Sequence, residues 1–173
     1  HYFDGAHIRI DAQPRRLEMP GISVLVADDS KTNRHVMQAF LELNGAEADY
    51  ACDGTEALSA LDGHWYDLLL LDIDMPGASG EEVARRVRML ESDNNLARPL
   101  IYAVTARCSI EDWARYERLG FDGMISKPVS NKQLQRALRT ACRLRFFPNE
   151  MLKGARQPVQ ETSADFVPIS AIS

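Results

Sequence analysis

Five side chains that could do chemistry together each follow a short apolar run of the sequence. Three are the carboxylates of Asp28, Asp29 and Asp72, and the other two are the hydroxyl of Thr105 and the ammonium of Lys127. Clustered carboxylates repel one another, and Mg²⁺ relieves this repulsion by taking one or two of them together with a phosphate and water. A lysine supplies a point charge for phosphate oxygens, and a threonine supplies a hydroxyl donor. The set therefore indicates phosphoryl transfer onto a carboxylate, which yields an aspartyl phosphate.

The elements that must bring these residues together alternate between apolar runs and amphipathic stretches. The runs predict strands, and the stretches between them predict helices, because their apolar residues recur at helical spacing. Start and stop signals bound the helices, such as the capping box of Ser79 and Glu82 and the stop at Asn44 and Gly45. The predicted strands are Ser23–Ala27, Glu47–Ala51, Tyr66–Leu71, Leu100–Val104 and Gly123–Ser126.

Five strand–helix units in succession predict an α/β fold. Continuous apolar strands joined by helices indicate a parallel sheet that is covered on both faces. Right-handed crossovers make such a sheet doubly wound. Ligands of these sheets bind beyond the carboxyl ends of the strands, which is where the five polar side chains are expected to meet.

Composition limits the classes of function. The chain has 173 residues and a formal net charge of −5, which argues against binding nucleic acid through a broad basic surface. No apolar run approaches the roughly 18 residues that a membrane span requires. The three cysteines are far apart and lack the spacing of a zinc site, so they indicate a reducing, cytoplasmic setting.

The two ends of the chain differ from its middle. Residues 1–20 are polar without a sustained period and are predicted to be a linker or N-terminal extension. Residues 146–173 are rich in proline, serine and glutamine and are predicted to be a flexible C-terminal tail. One folded domain is therefore expected over residues 21–145.

The folded part resembles the receiver domains of two-component signalling, the phosphoacceptor modules of response regulators and hybrid histidine kinases. The resemblance covers residues 21–145 and implies a flavodoxin-like (βα)₅ fold with strand order 2-1-3-4-5. Each similar segment is short, but all five occur in the family's order at the predicted strand ends. The segments are Leu25–Ser30, Cys52–Leu58, Leu68–Gly80, Val104–Ala106 and Gly120–Pro128.

The resemblance implies roles for the individual residues. Asp72 would be the phosphoacceptor, and Thr105 and Lys127 would contact the phosphoryl group. Such a protein is not a conventional enzyme, although it catalyses its own phosphorylation and dephosphorylation. The Mg²⁺ ligands that the resemblance implies are Asp28, Asp29, Asp72 and the main-chain carbonyl of Asp74.

Four further positions are expected to modulate the site. The bond before Pro128 is often cis in the family, which would aim the neighbouring lysine. Asp74 and Arg107 would overhang the mouth of the site, and their opposite charges predict an ion pair there. Met124 stands where the family usually has Tyr or Phe, so the usual aromatic switch is not expected, although phosphorylation is.

The resemblance also implies partners and a cellular context. The phosphodonor would be a histidine kinase or a histidine phosphotransfer protein, with no direct contact to nucleic acid and no membrane contact by this segment. Linker-like residues 9–19 and the pair Asn33-Arg34 favour the C-terminal receiver of a hybrid sensor histidine kinase over a stand-alone receiver. The location would be the cytoplasm, or the cytoplasmic part of a membrane-bound sensor kinase. The sequence does not indicate an oligomeric state.

Two alternatives from other classes stay open at this point. The run Leu68–Asp74 also resembles the first motif of haloacid-dehalogenase-type phosphatases, in which the first aspartate is the nucleophile. In those enzymes an acidic pair follows the lysine, whereas here Asp28 and Asp29 precede it. The other alternative is a receiver-like module that binds partners without being phosphorylated.

Overall fold

The apolar runs form one parallel sheet. In this computed structural model, which describes residues 21–94 and 98–146, the sheet has the order β2-β1-β3-β4-β5, and all neighbouring strands are parallel. The predicted strand order is thus confirmed, with the polar strand β2 at one edge. β3 begins two residues later than predicted, because its ladder to β1 starts where Val24 pairs with Leu68. The strands are β1 (Ser23–Ala27), β2 (Glu47–Ala51), β3 (Leu68–Asp72), β4 (Leu100–Thr105) and β5 (Gly123–Ser126).

Five helices connect and follow the strands, and local side chains fix where they begin. The capping box predicted at Ser79 is present, with the Ser79 N–H donating to Glu82 and the Glu82 N–H donating to the Ser79 hydroxyl. α5 ends one residue beyond the predicted boundary at 145. The helices are α1 (Lys31–Leu43), α2 (Gly54–Gly63), α3 (Gly80–Asn94), α4 (Ile110–Arg118) and α5 (Asn131–Phe146).

The core lies in two layers, one on each face of the sheet. Because side chains of a strand alternate between faces, Leu69 and Leu71 of β3 pack towards α2, α3 and α4, whereas Leu68 and Leu70 pack towards α1 and α5. The run of four leucines is therefore buried on both sides, as expected for a central parallel strand. None of the described helices is long and apolar enough to cross a membrane.

A cluster of charges holds the amino-terminal edge of the sheet beside β4. The Asp122 carboxylate accepts hydrogen bonds from Arg88 and Arg98, both at 2.6 Å, and from the Ile101 N–H at 2.8 Å. Arg88 also donates to the carbonyl oxygen of Gly120, which ties α3 to the turn after α4. These bonds join α3, the start of β4 and the segment before β5 at this edge.

The two ends of the described fold are joined at the same edge. Arg145, in the last turn of α5, donates hydrogen bonds to the carbonyl oxygen of Gly21 and to the carboxylate of Asp67. Asp67 in turn accepts a hydrogen bond from the N–H of Ser23 at 2.9 Å. The predicted linker 1–20 and the tail beyond Phe146 lie outside the described residues.

Candidate functional site

Three carboxylates meet at the carboxyl ends of β1 and β3. One oxygen each of Asp28, Asp29 and Asp72 lies within 4.8 Å of the others. Asp28 and Asp72 are buried, whereas Asp29 is exposed. The donor set consists of oxygen atoms alone, and one of its members faces solvent, so it fits a hard cation that keeps part of its water shell. The three predicted carboxylate ligands are therefore close enough together to hold Mg²⁺.

The first turn of α1 holds Asp28 in place. Ser30 caps this helix, and its N–H donates to Asp28 Oδ1 at 2.9 Å. The Asn33 amide donates to both carboxylate oxygens of Asp28 at 3.1 Å. Arg34 donates to the carbonyl oxygens of Asp28 and Asp29, at 2.6 and 3.1 Å. The bonds from Ser30 and Asn33 offset the cost of burying this charged carboxylate, and those from Arg34 hold the backbone that carries it.

Lys127 reaches into the carboxylate cluster from the end of β5. Its ammonium lies 2.6 Å from Asp72 Oδ2 and 3.0 Å from Asp28 Oδ2. Burial works to lower the pKa of Lys127, but the hydrogen bonds and charges of the two aspartates outweigh it and raise the pKa. The lysine is therefore cationic at neutral pH. The Lys127–Pro128 peptide bond is cis.

Asp72 sits in a confined position at the end of the central strand. Burial raises the pKa of its carboxyl group, although the bond from Lys127 acts in the opposite direction. The Asp74 N–H donates to Asp72 Oδ1 at 3.2 Å. The first residue of α3 is a glycine because a Cβ at Gly80 would lie 2.3 Å from the carbonyl oxygen of Asp72. The start of α3 therefore presses directly against the backbone of this aspartate.

Thr105 connects the site to the β4–α4 connection. Its side chain is buried, and Oγ1 accepts a hydrogen bond from the Arg107 N–H at 3.0 Å. Its carbonyl oxygen accepts a hydrogen bond from the Lys127 N–H at 2.9 Å. The register of the sheet pairs Asp72 with Val104, the residue before Thr105. The predicted hydroxyl and the predicted ammonium thus end neighbouring strands, as the sequence indicates.

Asp74 and Arg107 lie at the mouth of the site and contact each other. Arg107 Nη2 is 3.7 Å from Asp74 Oδ2, and the two side chains are 65% and 69% exposed. Met124 lies elsewhere, buried in the core layer under α4 together with Tyr116 and Phe121. The structure therefore brings the two charged residues together and places the methionine in the apolar packing.

Four contributors to the site were not predicted as site residues: Ser30, Asn33, Arg34 and Gly80. Asn33 was noted only as a family hint, although its place in the first turn after the acidic pair could have indicated that it folds back onto Asp28. The need for glycine at position 80 depends on how closely α3 approaches β3, which no spacing in the sequence reveals.

Comparisons with known proteins place the chain among signalling proteins. The sequence pattern of the response regulator receiver domain matches residues 24–139. Hybrid signal transduction histidine kinase L of Dictyostelium discoideum is 34% identical over 119 residues, which are 67% of this chain and 7% of that protein. The sensor histidine kinase AruS of Pseudomonas aeruginosa is 34% identical over 127 residues, which are 73% of this chain and 13% of that protein.

A solved structure shows the same fold. The receiver domain of the sensor histidine kinase PA1611 of Pseudomonas aeruginosa, which has a magnesium ion coordinated in its active-site cleft, is 26% identical to this chain. The match has a TM-score of 0.62 and covers 70% of this chain and 98% of that one. The chain thus spans nearly all of a single receiver domain but only a small part of the two kinases that it matches.

Proposed function

The chain belongs to the response regulator receiver domain family, and from that premise we propose that Asp72 accepts a phosphoryl group from a phosphohistidine. Membership of this family makes the chain a receiver domain of two-component signalling. It rules out the alternative of a haloacid-dehalogenase-type phosphatase. The observation that carries the proposal is the position of the Asp72 carboxylate, 2.6 Å from a cationic lysine and within one cluster with Asp28 and Asp29.

The residues of the chain divide the work of phosphoryl transfer. An oxygen of Asp72 attacks phosphorus while the bond from phosphorus to the donor imidazole nitrogen breaks, and the electron pair of that bond leaves with the imidazole. The negative charge of the transferred group lies on its three oxygens throughout. Lys127 pairs with the Asp72 carboxylate before transfer. After transfer its ammonium would pair with a phosphoryl oxygen instead. The Thr105 hydroxyl donates to another of these oxygens.

The metal has a defined place in this proposal. The carboxylates of Asp28, Asp29 and Asp72 and the carbonyl oxygen of Asp74 would hold Mg²⁺. When bound, Mg²⁺ would neutralise part of the phosphoryl charge. The fit of the three carboxylates supports this assignment, and so does the magnesium ion in the related receiver of PA1611.

The kinase relatives support a wider context. We propose that the phosphodonor is a histidine kinase or a histidine phosphotransfer protein and that the domain forms the C-terminal receiver of a hybrid sensor kinase, working in the cytoplasm. The matched relatives are histidine kinases in which the similar segment is a small part of the whole. A receiver in such a protein must bring Asp72 to a phosphohistidine, and the exposure of Asp29 and Asp74 leaves the site open to solvent.

Mass spectrometry of the intact protein tests the phosphoacceptor. With Mg²⁺ and acetyl phosphate, the wild type should gain one phosphoryl group, and Asp72→Asn should gain none, because an amide is not a competent nucleophile. Asp53→Asn is a matched control, since Asp53 caps α2 and asparagine caps helices equally well. Phosphorylation of Asp72→Asn, or its absence in the wild type, would contradict the proposal.

A further inference from the structure

The β3–α3 loop, residues 73–79, carries Asp74, the residue whose carbonyl oxygen is proposed as a ligand of Mg²⁺. The contacts of Asp74 itself are weak. Its N–H donates to Asp72 Oδ1 at 3.2 Å, and its exposed side chain lies 3.7 Å from that of Arg107. The position of the Asp74 carbonyl therefore depends on how the rest of the loop is packed.

The start of α2 lies directly against this loop. A Cβ at Gly54, the first residue of α2, would lie 1.7 Å from the carbonyl oxygen of Ala78 and 2.5 Å from its carbonyl carbon. Because Gly54 has no side chain, the main chains of the helix and the loop are in direct contact. A Cβ at Gly77 would likewise lie 2.9 Å from Thr55 Oγ1. Two consecutive residues of the loop thus pack on two consecutive residues of α2.

The start of α2 is itself fixed by local hydrogen bonds. The Asp53 carboxylate accepts a hydrogen bond from the Glu56 N–H at 2.7 Å, and the Glu56 carboxylate accepts one from the Cys52 N–H at 2.6 Å. This reciprocal pair holds the first turn of the helix to the residues that follow β2. Further along the helix, Ala57 and Leu61 are buried in the core. The start of α2 is therefore a fixed surface on which the loop rests.

The far end of the loop is fixed by the close approach at Gly80. A Cβ there would lie 2.3 Å from the carbonyl oxygen of Asp72 and 3.3 Å from the Cα of Ile73. The Gly80 N–H also donates to the Ile73 carbonyl oxygen at 3.4 Å, which ties the two ends of the loop together. A shift of the Ala78 carbonyl must therefore be taken up by residues 74–77, most of which are exposed.

We propose that Gly54 is a positioning residue for the metal site: it lets the start of α2 support the β3–α3 loop, and this support sets the place of the Asp74 carbonyl. The inference rests on the proposed function, because it requires this carbonyl to be a Mg²⁺ ligand. Mg²⁺ demands nearly ideal octahedral geometry, whereas Ca²⁺ accepts more flexible arrangements of oxygen ligands. Affinity for Mg²⁺ should therefore depend on the contact at Gly54 more than affinity for Ca²⁺ does.

Isothermal titration calorimetry of the whole protein with MgCl₂ and with CaCl₂ tests this role. Gly54→Ala should raise the Kd for Mg²⁺ about ten-fold, the effect typical of residues that orient metal ligands, and should raise the Kd for Ca²⁺ less. Gly63→Ala is the matched control. Gly63 is the last residue of the same helix, and a Cβ there would meet no atom of the described residues within 4 Å. The control should keep both Kd values of the wild type.

Thr55→Ala is a milder variant of the same contact. Thr55 is exposed, and its truncation removes the atoms that lie against Gly77 without adding any. This variant should raise the Kd for Mg²⁺ in the same direction as Gly54→Ala, but by less. It decides the question if Gly54→Ala does not fold, because an unchanged Kd in Thr55→Ala would overturn the inference.

Urea denaturation and intact mass, measured on the same proteins, separate the possible failures. Lower stability of Gly54→Ala with an unchanged Kd for Mg²⁺ would show a structural role alone and would overturn the inference. A proportionally equal rise of the Kd for Mg²⁺ and Ca²⁺, or the same rise in Gly63→Ala, would also overturn it. If the wild type gains a phosphoryl group from acetyl phosphate, these results leave the proposed function intact. Absence of Mg²⁺ binding and of phosphoryl uptake in the wild type would overturn both.

Discussion

The ammonium of Lys127 lies 2.6 Å from the carboxylate of Asp72, and it reaches this position across the end of the intervening strand β4. One positive charge thus faces the cluster of three carboxylates. The cluster keeps an excess of negative charge, and its exposed member, Asp29, lies on the solvent side. This imbalance makes the site sensitive to added cations.

Magnesium should stabilise the protein through Asp29. We expect Mg²⁺ to raise the Tm of the wild type as its concentration passes the Kd, because binding to the folded state alone shifts unfolding by mass action. Asp29→Asn should weaken Mg²⁺ binding at least about ten-fold, since it removes one of the charged ligands. Thermal denaturation over a range of MgCl₂ concentrations measures both effects. Asp62→Asn, which removes an exposed charge at the far end of α2, is the control, and equal Mg²⁺ responses in the two variants would place the metal elsewhere.

The ion pair at the mouth should lengthen the life of the phosphoryl group. At 3.7 Å and with both side chains exposed, Asp74 and Arg107 contribute only about 0–1 kcal/mol to stability. They can still exclude the water that must attack in line with the Asp72–phosphorus bond. We expect Arg107→Ala to speed dephosphorylation several-fold and Asp74→Ala to speed it or leave it unchanged.

Half-lives of the phosphorylated proteins in Mg²⁺ buffer measure this effect. The double variant should decay no faster than Arg107→Ala, because residues that act as a pair show non-additive effects. Slower decay in Asp74→Ala would instead show that this carboxylate orients the attacking water. Additive effects would show that the two residues act separately.

Asp122 should matter for stability and not for the chemistry. Its carboxylate is 11% exposed and serves Arg88, Arg98 and the Ile101 N–H together. Asp122→Ala would remove the charged partner of the largely buried Arg88 guanidinium and leave the Ile101 N–H without its acceptor, which should cost about 2–4 kcal/mol. Urea denaturation measures the loss. At urea concentrations below the unfolding transition, the variant should take up as much phosphoryl group as the wild type. Reduced uptake by the folded variant would contradict the view that Asp122 acts on stability alone.

Tyr50 should make the fold sensitive to alkaline pH. Burial, followed by the charges of Glu42 and Asp49, raises the pKa of its phenol from 10.0 to about 12. The folded state thus favours the neutral phenol, and its contribution to stability is complete below pH 10 and declines between pH 10 and 12. Tyr50→Phe should therefore lose less stability than the wild type over that interval. Parallel curves of the free energy of unfolding against pH would contradict the assignment.

Much of the fold could be predicted because the signals are local. Four successive leucines at 68–71 predict a strand that is buried on both faces, and they form the central strand β3. The capping box of Ser79 and Glu82 predicts the start of a helix, and α3 begins at the next residue, Gly80. The convergence of Asp28, Asp72, Thr105 and Lys127 follows from topology, because parallel strands end at one edge. These statements need no knowledge of how side chains pack.

The remaining features depend on packing between distant elements. Gly80 is required because α3 approaches the carbonyl oxygen of Asp72. The strand predicted from Tyr66 begins instead at Leu68, because hydrophobicity does not show where the ladder to β1 starts. Sequence patterns assign residues to faces and ends, but distances between elements arise only when the core is assembled.

The bond from Arg145 to the carbonyl oxygen of Gly21 fastens the two ends of the described fold at the edge opposite the site. The described fold therefore begins and ends on the side of the domain opposite Asp72. An attachment at this edge leaves the surface around Asp72 free to contact one protein partner after another. Because one arginine side chain bridges the two ends, they lie close together, and the fold is suited to insertion within a loop of a larger protein.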